Sequence, residues 1–170
     1  MLEKRMKILG IDPGSRYVGF GVLEKGERGE LSISESGCIE AFRIEDYSKR
    51  MFLIFQEVES LILRHSPQAL VLEEVFLGKN FKNALKIGEA RGVVMACGGK
   101  YEIPLFEYST REVKKSLTGS GRASKIQVRN MVFRLFGLKE KDIRDDVTDA
   151  IALAFCHSHR ILFSHLDGYC

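Results

Sequence analysis

Four acidic residues from three separate parts of the chain have the chemistry and the placement of divalent-metal ligands. Asp12 ends the apolar run MKILGID, and Glu73 follows the apolar run ALVL. Asp146 and Asp149 lie three residues apart at the start of an apolar helical pattern. We expect no basic partner beside these acids, which favours bound metal over salt bridges.

The chemistry of such a cluster follows from its charge. Two carboxylates within about 4 Å repel each other by roughly 4 kcal/mol at an intermediate dielectric, so their pKa values rise unless cations enter. Four carboxylates balance two divalent ions, and hard oxygen ligands select Mg²⁺ or Mn²⁺ over zinc. Ions about 3.5 to 4 Å apart can hold both the attacking water and the leaving oxygen of a phosphodiester. The acids therefore predict two-metal phosphodiester hydrolysis.

Each acid also has an ordinary structural interpretation. Asp146 and Asp149 suit the first turn of a helix, where the helix dipole favours negative charge. Asp12 fits an Asp-Pro-Gly turn, and Glu73 or its neighbour Glu74 fits the surface. The four acids taken together favour a metal site, because three separate segments each place an acid where folding can bring the acids close to one another.

Basic residues in two stretches flank the expected pocket. Runs of charge are usually solvated, but Gly119, Ser120 and Gly121 lie between basic residues and offer backbone N–H groups to phosphate. Phe76 follows the end of a predicted strand and suits either a stacked, unpaired base or the core. The basic residues are Lys79, Lys82, Lys86, Arg111, Lys114, Lys115, Arg122, Lys125 and Arg129.

The first forty residues predict three antiparallel strands that hold Asp12. Residues 6–12 form a continuous apolar run typical of a central strand, residues 17–24 alternate, and residues 31–39 follow a charged turn. Gly19 and Gly21 would share one face of the second strand, which indicates a close approach by another element.

Helices and two further strands follow. Apolar spacing predicts helices over residues 47–65, 83–97 and 125–136, and a last helix from near Asp145. Residues 69–72 form a strand that delivers Glu73, residues 104–108 form another, and Ser109-x-x-Glu112 is a capping box. In the second helix, Gly88, Gly92 and Ala96 leave a smooth face for a sheet, another helix or a dimer seam.

This order predicts an α/β fold with a mixed sheet covered on both faces. The first strand would be central, and the strand that delivers Glu73 would lie parallel beside it. Asp12 and Glu73 would then be neighbours, and the last helix would bring Asp146 and Asp149 over them.

Composition predicts one domain over residues 1–170. The chain has 170 residues, 45% hydrophobic and 29% charged, with a formal net charge of +3. With the four acids in one pocket, the remaining surface is basic, as expected for a protein that binds a polyanion. The four cysteines show no CxxC spacing, the N-terminal residues do not show the charge, apolar stretch and cleavage site of a signal peptide, and no apolar run approaches about 20 residues. We therefore expect a cytoplasmic protein that is not in a membrane.

Four segments resemble, in order and spacing, the RuvC family of Holliday junction resolvases. They are GIDPGSRYVGFGV, VLEEVF with KNALKIGEARG, FEYSTREVKKSLTGSGRASK and DDVTDAIALAFCH. The resemblance implies an RNase H-like fold, with a mixed five-stranded sheet in the order 3-2-1-4-5 and helices on both faces. It also implies a homodimer that makes paired nicks in four-way DNA junctions during recombination and repair, with the RuvA–RuvB branch-migration complex as a partner.

The same resemblance assigns residues. Asp12, Glu73, Asp146 and Asp149 match the family's metal-binding acids, which would hold two Mg²⁺ or Mn²⁺ ions and leave a 5′-phosphate and a 3′-hydroxyl. The motif selects Glu73 rather than Glu74. Positions that the family uses at the DNA are Phe76, Lys114 and Lys125.

Three other functions are open to the sequence. A structured-RNA or general nuclease would share the acids but lack the dimer geometry. An actin-like ATPase or sugar kinase has a similar phosphate-loop hairpin, but it needs a second copy of the domain, which 170 residues cannot supply. A protein that binds junctions without cutting them is the third.

Overall fold

The computed structural model describes residues 5–74, 81–139 and 143–164. Its five strands are β1 (Met6–Asp12), β2 (Val18–Lys25), β3 (Leu31–Ile39), β4 (Ala69–Glu73) and β5 (Leu105–Tyr108). They form one sheet in the order β3-β2-β1-β4-β5, with β1 at the centre. Strands β1, β2 and β3 pair antiparallel, whereas β4 is parallel to β1 and β5 to β4. The predicted strand order is confirmed.

Helices cover both faces of the sheet, as predicted. They are α1 (Tyr47–His65), α2 (Phe81–Lys100), α3 (Thr110–Thr118), α4 (Lys125–Phe136) and α5 (Asp145–Ser164). Buried side chains of α1 and α2 form a core with one face, and those of α3, α4 and α5 form a core with the other. The sheet is therefore the middle layer of three.

Polar caps set where the two helices beside the expected pocket begin. Ser109 and Ser124 each accept a hydrogen bond from the third residue of their helix in a capping box, which confirms the box predicted at Ser109. Gly119 and Gly137 end α3 and α4 in the left-handed region, with φ of 76° and 63°. Helices α3 and α4 are thus joined by a short turn whose ends are both fixed.

Three glycines allow α5 to lie directly on the sheet. A Cβ on Gly19 would lie 2.0 Å from the carbonyl oxygen of Asp146, and one on Gly10 would lie 2.1 Å from that of Ala150. On Gly21 it would lie 2.7 Å from Ile151 Cγ1. The close approach predicted at Gly19 and Gly21 is confirmed, and the approaching element is α5.

Several details differ from the predictions. Helix α2 begins two residues earlier and ends three residues later than expected, and the sequence did not indicate a short 3₁₀ helix at Ala41–Arg43. The apolar spacing that predicts α4 includes Leu135 in the stripe facing the core, but Leu135 is 48% exposed, and Phe133, which the stripe did not include, is buried. The smooth face of α2 contacts neither sheet nor helix, because nothing lies within 4 Å of a Cβ at Gly88 or Gly92. Among the described residues, no helix is long and apolar enough to cross a membrane.

Candidate active site

Asp12 and Glu73 stand at the same end of two adjacent parallel strands. The register pairs Leu9 with Leu70 and Gly10 with Val71, and continuing it by two residues puts Asp12 opposite Glu73. Neighbouring strands lie about 4.8 Å apart, so the two carboxyl groups leave the sheet side by side. The predicted proximity of these acids is confirmed at the level of the backbone.

Asp146 and Asp149 reach the same place from α5. Gly19 pairs with Asp12 across β1 and β2, and the backbone of Asp146 lies against Gly19. The first turn of α5 therefore crosses the sheet beside Asp12. Since residues three apart share one face of a helix, Asp146 and Asp149 are both near that edge.

The pKa of Asp12 reflects the proximity of the other three acids. The pKa of Asp12 is raised to about 7, chiefly by burial and then by the nearby carboxylates of Asp149, Asp146 and Glu73, against a smaller opposing effect of Lys125. The pKa of Asp149 is also raised, chiefly by burial. The site therefore holds more negative charge than its own basic residues balance.

Two of the acids nevertheless have basic partners, so the expectation that they have none was wrong. Lys125 Nζ lies 3.0 Å from Asp149 Oδ2, and Arg144 Nε lies 3.1 Å from Asp146 Oδ2. Burial alone would lower the pKa of Lys125, but the bond to Asp149 raises it overall. Arg144 also stacks on Tyr17, with its Cζ 3.7 Å from the ring centroid. These contacts depend on loop and helix packing, which the sequence pattern does not encode.

Glu73 has two neighbours that the sequence analysis missed. The hydroxyl of Thr110, the first residue of α3, donates to Glu73 Oε1. Arg91 of α2 donates to the Glu73 carbonyl oxygen and forms an ion pair with Glu107 on β5. Arg91 is only 8% exposed. Arg91 lies on the buried face of α2 with Val94. A charged residue at an apolar position of that helix is the sequence feature that could have indicated a buried polar contact.

The third acid in the first turn of α5 has a different role. Asp145 forms an ion pair with Arg129 of α4, and Lys125 Nζ lies 3.8 Å from its Oδ2. Arg129 also donates to the Ile143 carbonyl oxygen at 3.2 Å. Asp145 therefore links the start of α5 to α4.

The donor set suits Mg²⁺ or Mn²⁺ in chemistry, because all four candidate ligands are carboxylates. Within residues 5–74, 81–139 and 143–164, no three His, Cys, Asp or Glu side chains converge closely enough to hold an ion. The side chains are instead drawn to Lys125, Arg144 and Thr110. A divalent ion would therefore have to draw these carboxylates away from their present partners.

Both predicted DNA-binding lysines lie at this edge. Lys114 and Lys125 line an active-site cleft of about 340 Å³ together with Glu73, Thr110 and Asp149. A second cleft of about 250 Å³ lies on the other side of Glu73 and extends to Asp12 and Arg91. Phe76 and Lys79 lie outside the described residues, so the predicted role of Phe76 stays a prediction.

Two of the three amides expected to bind phosphate in the glycine-rich turn are already bonded within the protein, and the Gly121 N–H stays a prediction. The Gly119 N–H donates to the Lys115 carbonyl oxygen at 2.9 Å, and the Ser120 N–H donates to Thr118 Oγ1 at 3.2 Å. These two donors are used inside the turn. The expectation that they bind phosphate was therefore wrong, and side chains are the better candidates.

Comparisons with known proteins agree with this geometry. The family model "Crossover junction endodeoxyribonuclease RuvC" matches residues 8–157. The RuvC protein of Moorella thermoacetica is 42% identical over 153 residues, covering 90% of this chain and 91% of its own.

Solved structures confirm the predicted RNase H-like fold. Thermus thermophilus RuvC in complex with a Holliday junction substrate matches with a TM-score of 0.85 at 30% identity, covering 94% of this chain and 96% of its own. The yeast mitochondrial Holliday junction resolvase Ydc2 matches with a TM-score of 0.71 at 15% identity, covering 97% of this chain and 85% of its own, which shows a shared fold alone.

Proposed function

The chain belongs to the RuvC family of crossover junction endodeoxyribonucleases, and on that basis we propose that it resolves four-way DNA junctions by paired nicks. The observation that carries the proposal is the setting of Asp12. Burial raises its pKa most, and three other carboxylates raise it as well, so such a cluster at the end of a sheet is unfavourable without bound cations.

Asp12, Glu73, Asp146 and Asp149 are the residues that would hold divalent metal, with two ions per site, Mg²⁺ or Mn²⁺ as a substitute. Bound there, the ions would supply an activated water and charge stabilisation for the departing 3′-oxygen, so that the products would carry a 5′-phosphate and a 3′-hydroxyl. Asp12 and Glu73 come from the rigid sheet and fix the base of the site. Asp146 and Asp149 come from α5 and close it from above.

The basic residues have two states in this proposal. Without metal, Lys125 and Arg144 neutralise Asp149 and Asp146. If divalent ions bound these carboxylates, Lys125 would be freed at the rim of a cleft that it shares with Lys114. Both ammonium groups could then bind phosphates beside the cut.

A homodimer supplies the second cut. Helix α2 carries an apolar stripe with the 4-3-4-3 spacing of a helix–helix seam, formed by Phe81, Leu85, Gly88, Gly92 and Met95. Phe81, Leu85 and Met95 are 73%, 65% and 40% exposed in the single chain. Pairing two stripes about a two-fold axis would present two active sites to symmetry-related strands of a junction.

Family membership also supports two wider proposals. The enzyme works with the RuvA–RuvB branch-migration complex, which would bring it to junctions. It acts in the cytoplasm, in keeping with cysteines Cys38, Cys97 and Cys156, which are all free.

The test is cleavage of a synthetic four-way junction, compared with linear duplex and an RNA–DNA hybrid of the same sequence. We expect two nicked duplexes from the junction in Mg²⁺, none in EDTA, and little cutting of the other substrates. Equal cutting of the hybrid would favour a general nuclease. Binding of the junction without metal-dependent cutting would favour a non-catalytic binding protein.

Adjacent acids give a matched pair of variants. Asp146→Asn should abolish cutting and leave junction binding within about threefold, because it removes a metal ligand and no phosphate contact. Asp145→Asn makes the same change one residue earlier, but it affects an acid bonded to α4, so cutting should persist. Full activity in Asp146→Asn would refute the assignment of Asp146.

A further inference from the structure

Two further clefts continue from the active-site cleft along the surface of α3 and α4. The inner cleft, of about 390 Å³, is lined by Thr110, Arg111, Lys114, Gly121 and Arg122. It shares Thr110 and Lys114 with the active-site cleft. The outer cleft, of about 560 Å³, is lined among others by Thr118, Ser120, Arg122, Gln127, Asn130 and Arg134. Because Arg122 lines both, the three clefts form one path.

The charge along this path is of one sign. No acidic residue lines the inner or the outer cleft in the part of the chain that the structure describes. Both are lined by arginines. Their electrostatic potential therefore attracts a polyanion, whereas the carboxylates lie only at the active-site end.

In the part of the chain that the structure describes, the guanidinium groups along the path have no carboxylate partner. Arg111, Arg122 and Arg134 form no ion pair within the described ranges. Arg129 of α4, by contrast, pairs with Asp145. Arg122 and Arg134 are exposed. A guanidinium group without a carboxylate neighbour keeps its donors for an external anion, and its geometry suits phosphate.

We propose that the inner and outer clefts bind the sugar–phosphate backbone of one junction arm, with Arg122 and Arg134 as phosphate contacts. This inference rests on the proposed function, because it takes the active site as the starting point of the path. It also gives the direction of that arm. From the cleavage site, the arm crosses the turn between α3 and α4 and continues along α4.

The length of the path predicts which phosphates are bound. At about 1.5 Å per residue, the segment of α4 from Lys125 to Arg134 spans roughly 13 Å along the helix axis. With about 3.4 Å per base pair and the added width of the helix, Arg134 meets a phosphate about four to five base pairs from the cut. Arg122, at the junction of the two clefts, meets one nearer to it.

The first test measures binding of the full-length protein to a synthetic junction in EDTA, by fluorescence anisotropy over a range of NaCl concentrations. Arg122→Gln and Arg134→Gln should each weaken binding about eightfold at 0.1 M salt and reduce the salt slope by about 0.9, the loss of one phosphate contact. The control is Arg28→Gln, an exposed arginine in the β2–β3 turn, at the opposite end of the sheet from Asp12. It makes the same charge change and should bind like the wild type.

The second test locates the contact. Uncharged methylphosphonates are placed singly along one arm, from two to ten base pairs from the cut. Wild-type binding should weaken most at four to five base pairs, and Arg134→Gln should be insensitive at that position alone. The path is refuted if both variants match Arg28→Gln while the wild type binds and cuts junctions, or if the sensitivity shows no dependence on position. A wild type that neither binds nor cuts junctions refutes the proposed function instead.

Discussion

At the scale of single residues, the sequence predicted the identities of the acids but not their present contacts. Asp12 and Glu73 are predictable because strand ends can be read from apolar runs, and adjacent strands bring them together. Glu73 has two hydrogen-bond partners, Thr110 and Arg91, that lie far from it in the sequence, and only tertiary packing brings them beside it. Sequence patterns report periodicity within an element, so contacts between side chains of different elements were missed.

The raised pKa of Asp12 predicts a pH-dependent stability. A carboxyl group whose folded pKa is about 7, against 3.8 in the unfolded chain, stabilises the fold at low pH, and this contribution is lost as pH rises from about 4 to 7. Asp12→Asn carries no such charge. In the absence of metal at pH 8, it should therefore raise the free energy of unfolding by about 3 kcal/mol.

Thermal melting with EDTA measures this effect, with an expected increase of several degrees for Asp12→Asn at pH 8 and a smaller one at pH 4. Adding Mg²⁺ should stabilise the wild type more than the variant. If Asp12→Asn melts at or below the wild-type temperature at pH 8, the ionised Asp12 carboxylate does not destabilise the fold, which contradicts the prediction.

Thr110 is predicted to hold the carboxylate of Glu73 in position. Thr110→Ala removes the hydroxyl bonded to Glu73 Oε1, so the Mg²⁺ concentration for half-maximal cutting should rise about tenfold. Thr110→Ser keeps the hydroxyl, so its Mg²⁺ concentration for half-maximal cutting should stay close to that of the wild type. Isothermal titration with Mn²⁺ gives a readout independent of activity. Equal metal affinity in the alanine and serine variants would contradict this role.

At the scale of elements, most bounds were predicted because periodicity and caps agree. Helices α1 and α4 begin and end where their apolar spacing and capping residues indicate. The packing of α5 was indicated by Gly19 and Gly21, since strand glycines mark a close approach. Leu135 was assigned to the core wrongly, because Phe133 and Leu135 both border the apolar stripe and only the packed structure decides between them.

Gly19→Ala should show that this packing positions the metal ligands. The added Cβ would lie 2.0 Å from the Asp146 carbonyl oxygen, so α5 must move away from β2. We expect a loss of about 1 to 3 kcal/mol of unfolding free energy and a strong loss of cutting. Gly99→Ala, at an open helical site, should instead be neutral or stabilising by up to about 1 kcal/mol. Wild-type cutting by Gly19→Ala would contradict the account.

At the scale of the whole molecule, one sheet with helices on both faces brings the four acids to a single edge, and the basic path starts there. The single domain over residues 1–170 stays a prediction, because both termini lie outside the described residues. The proposed dimer interface could not be predicted from composition or net charge. It depends on which apolar residues remain exposed after folding, and the exposed residues of the α2 stripe are the proposed interface.

The proposed dimer predicts different effects for substitutions at two exposed leucines. Leu85 lies in the stripe of α2 and is 65% exposed, whereas Leu63 on α1 is 61% exposed and lies outside it. Leu85→Glu should convert a dimer into a monomer in sedimentation equilibrium and replace paired cuts with single nicks. Leu63→Glu should remain a dimer. A dimeric Leu85→Glu variant would exclude the α2 stripe as the interface.

The most direct test of the central claim is anomalous X-ray diffraction from crystals of the protein soaked in Mn²⁺. The account predicts manganese peaks about 2.0 to 2.4 Å from carboxylate oxygens of Asp12 and of at least one of its three acidic neighbours, with Lys125 displaced from Asp149. An ordered site without manganese at Asp12, at a concentration that supports junction cutting, would contradict it.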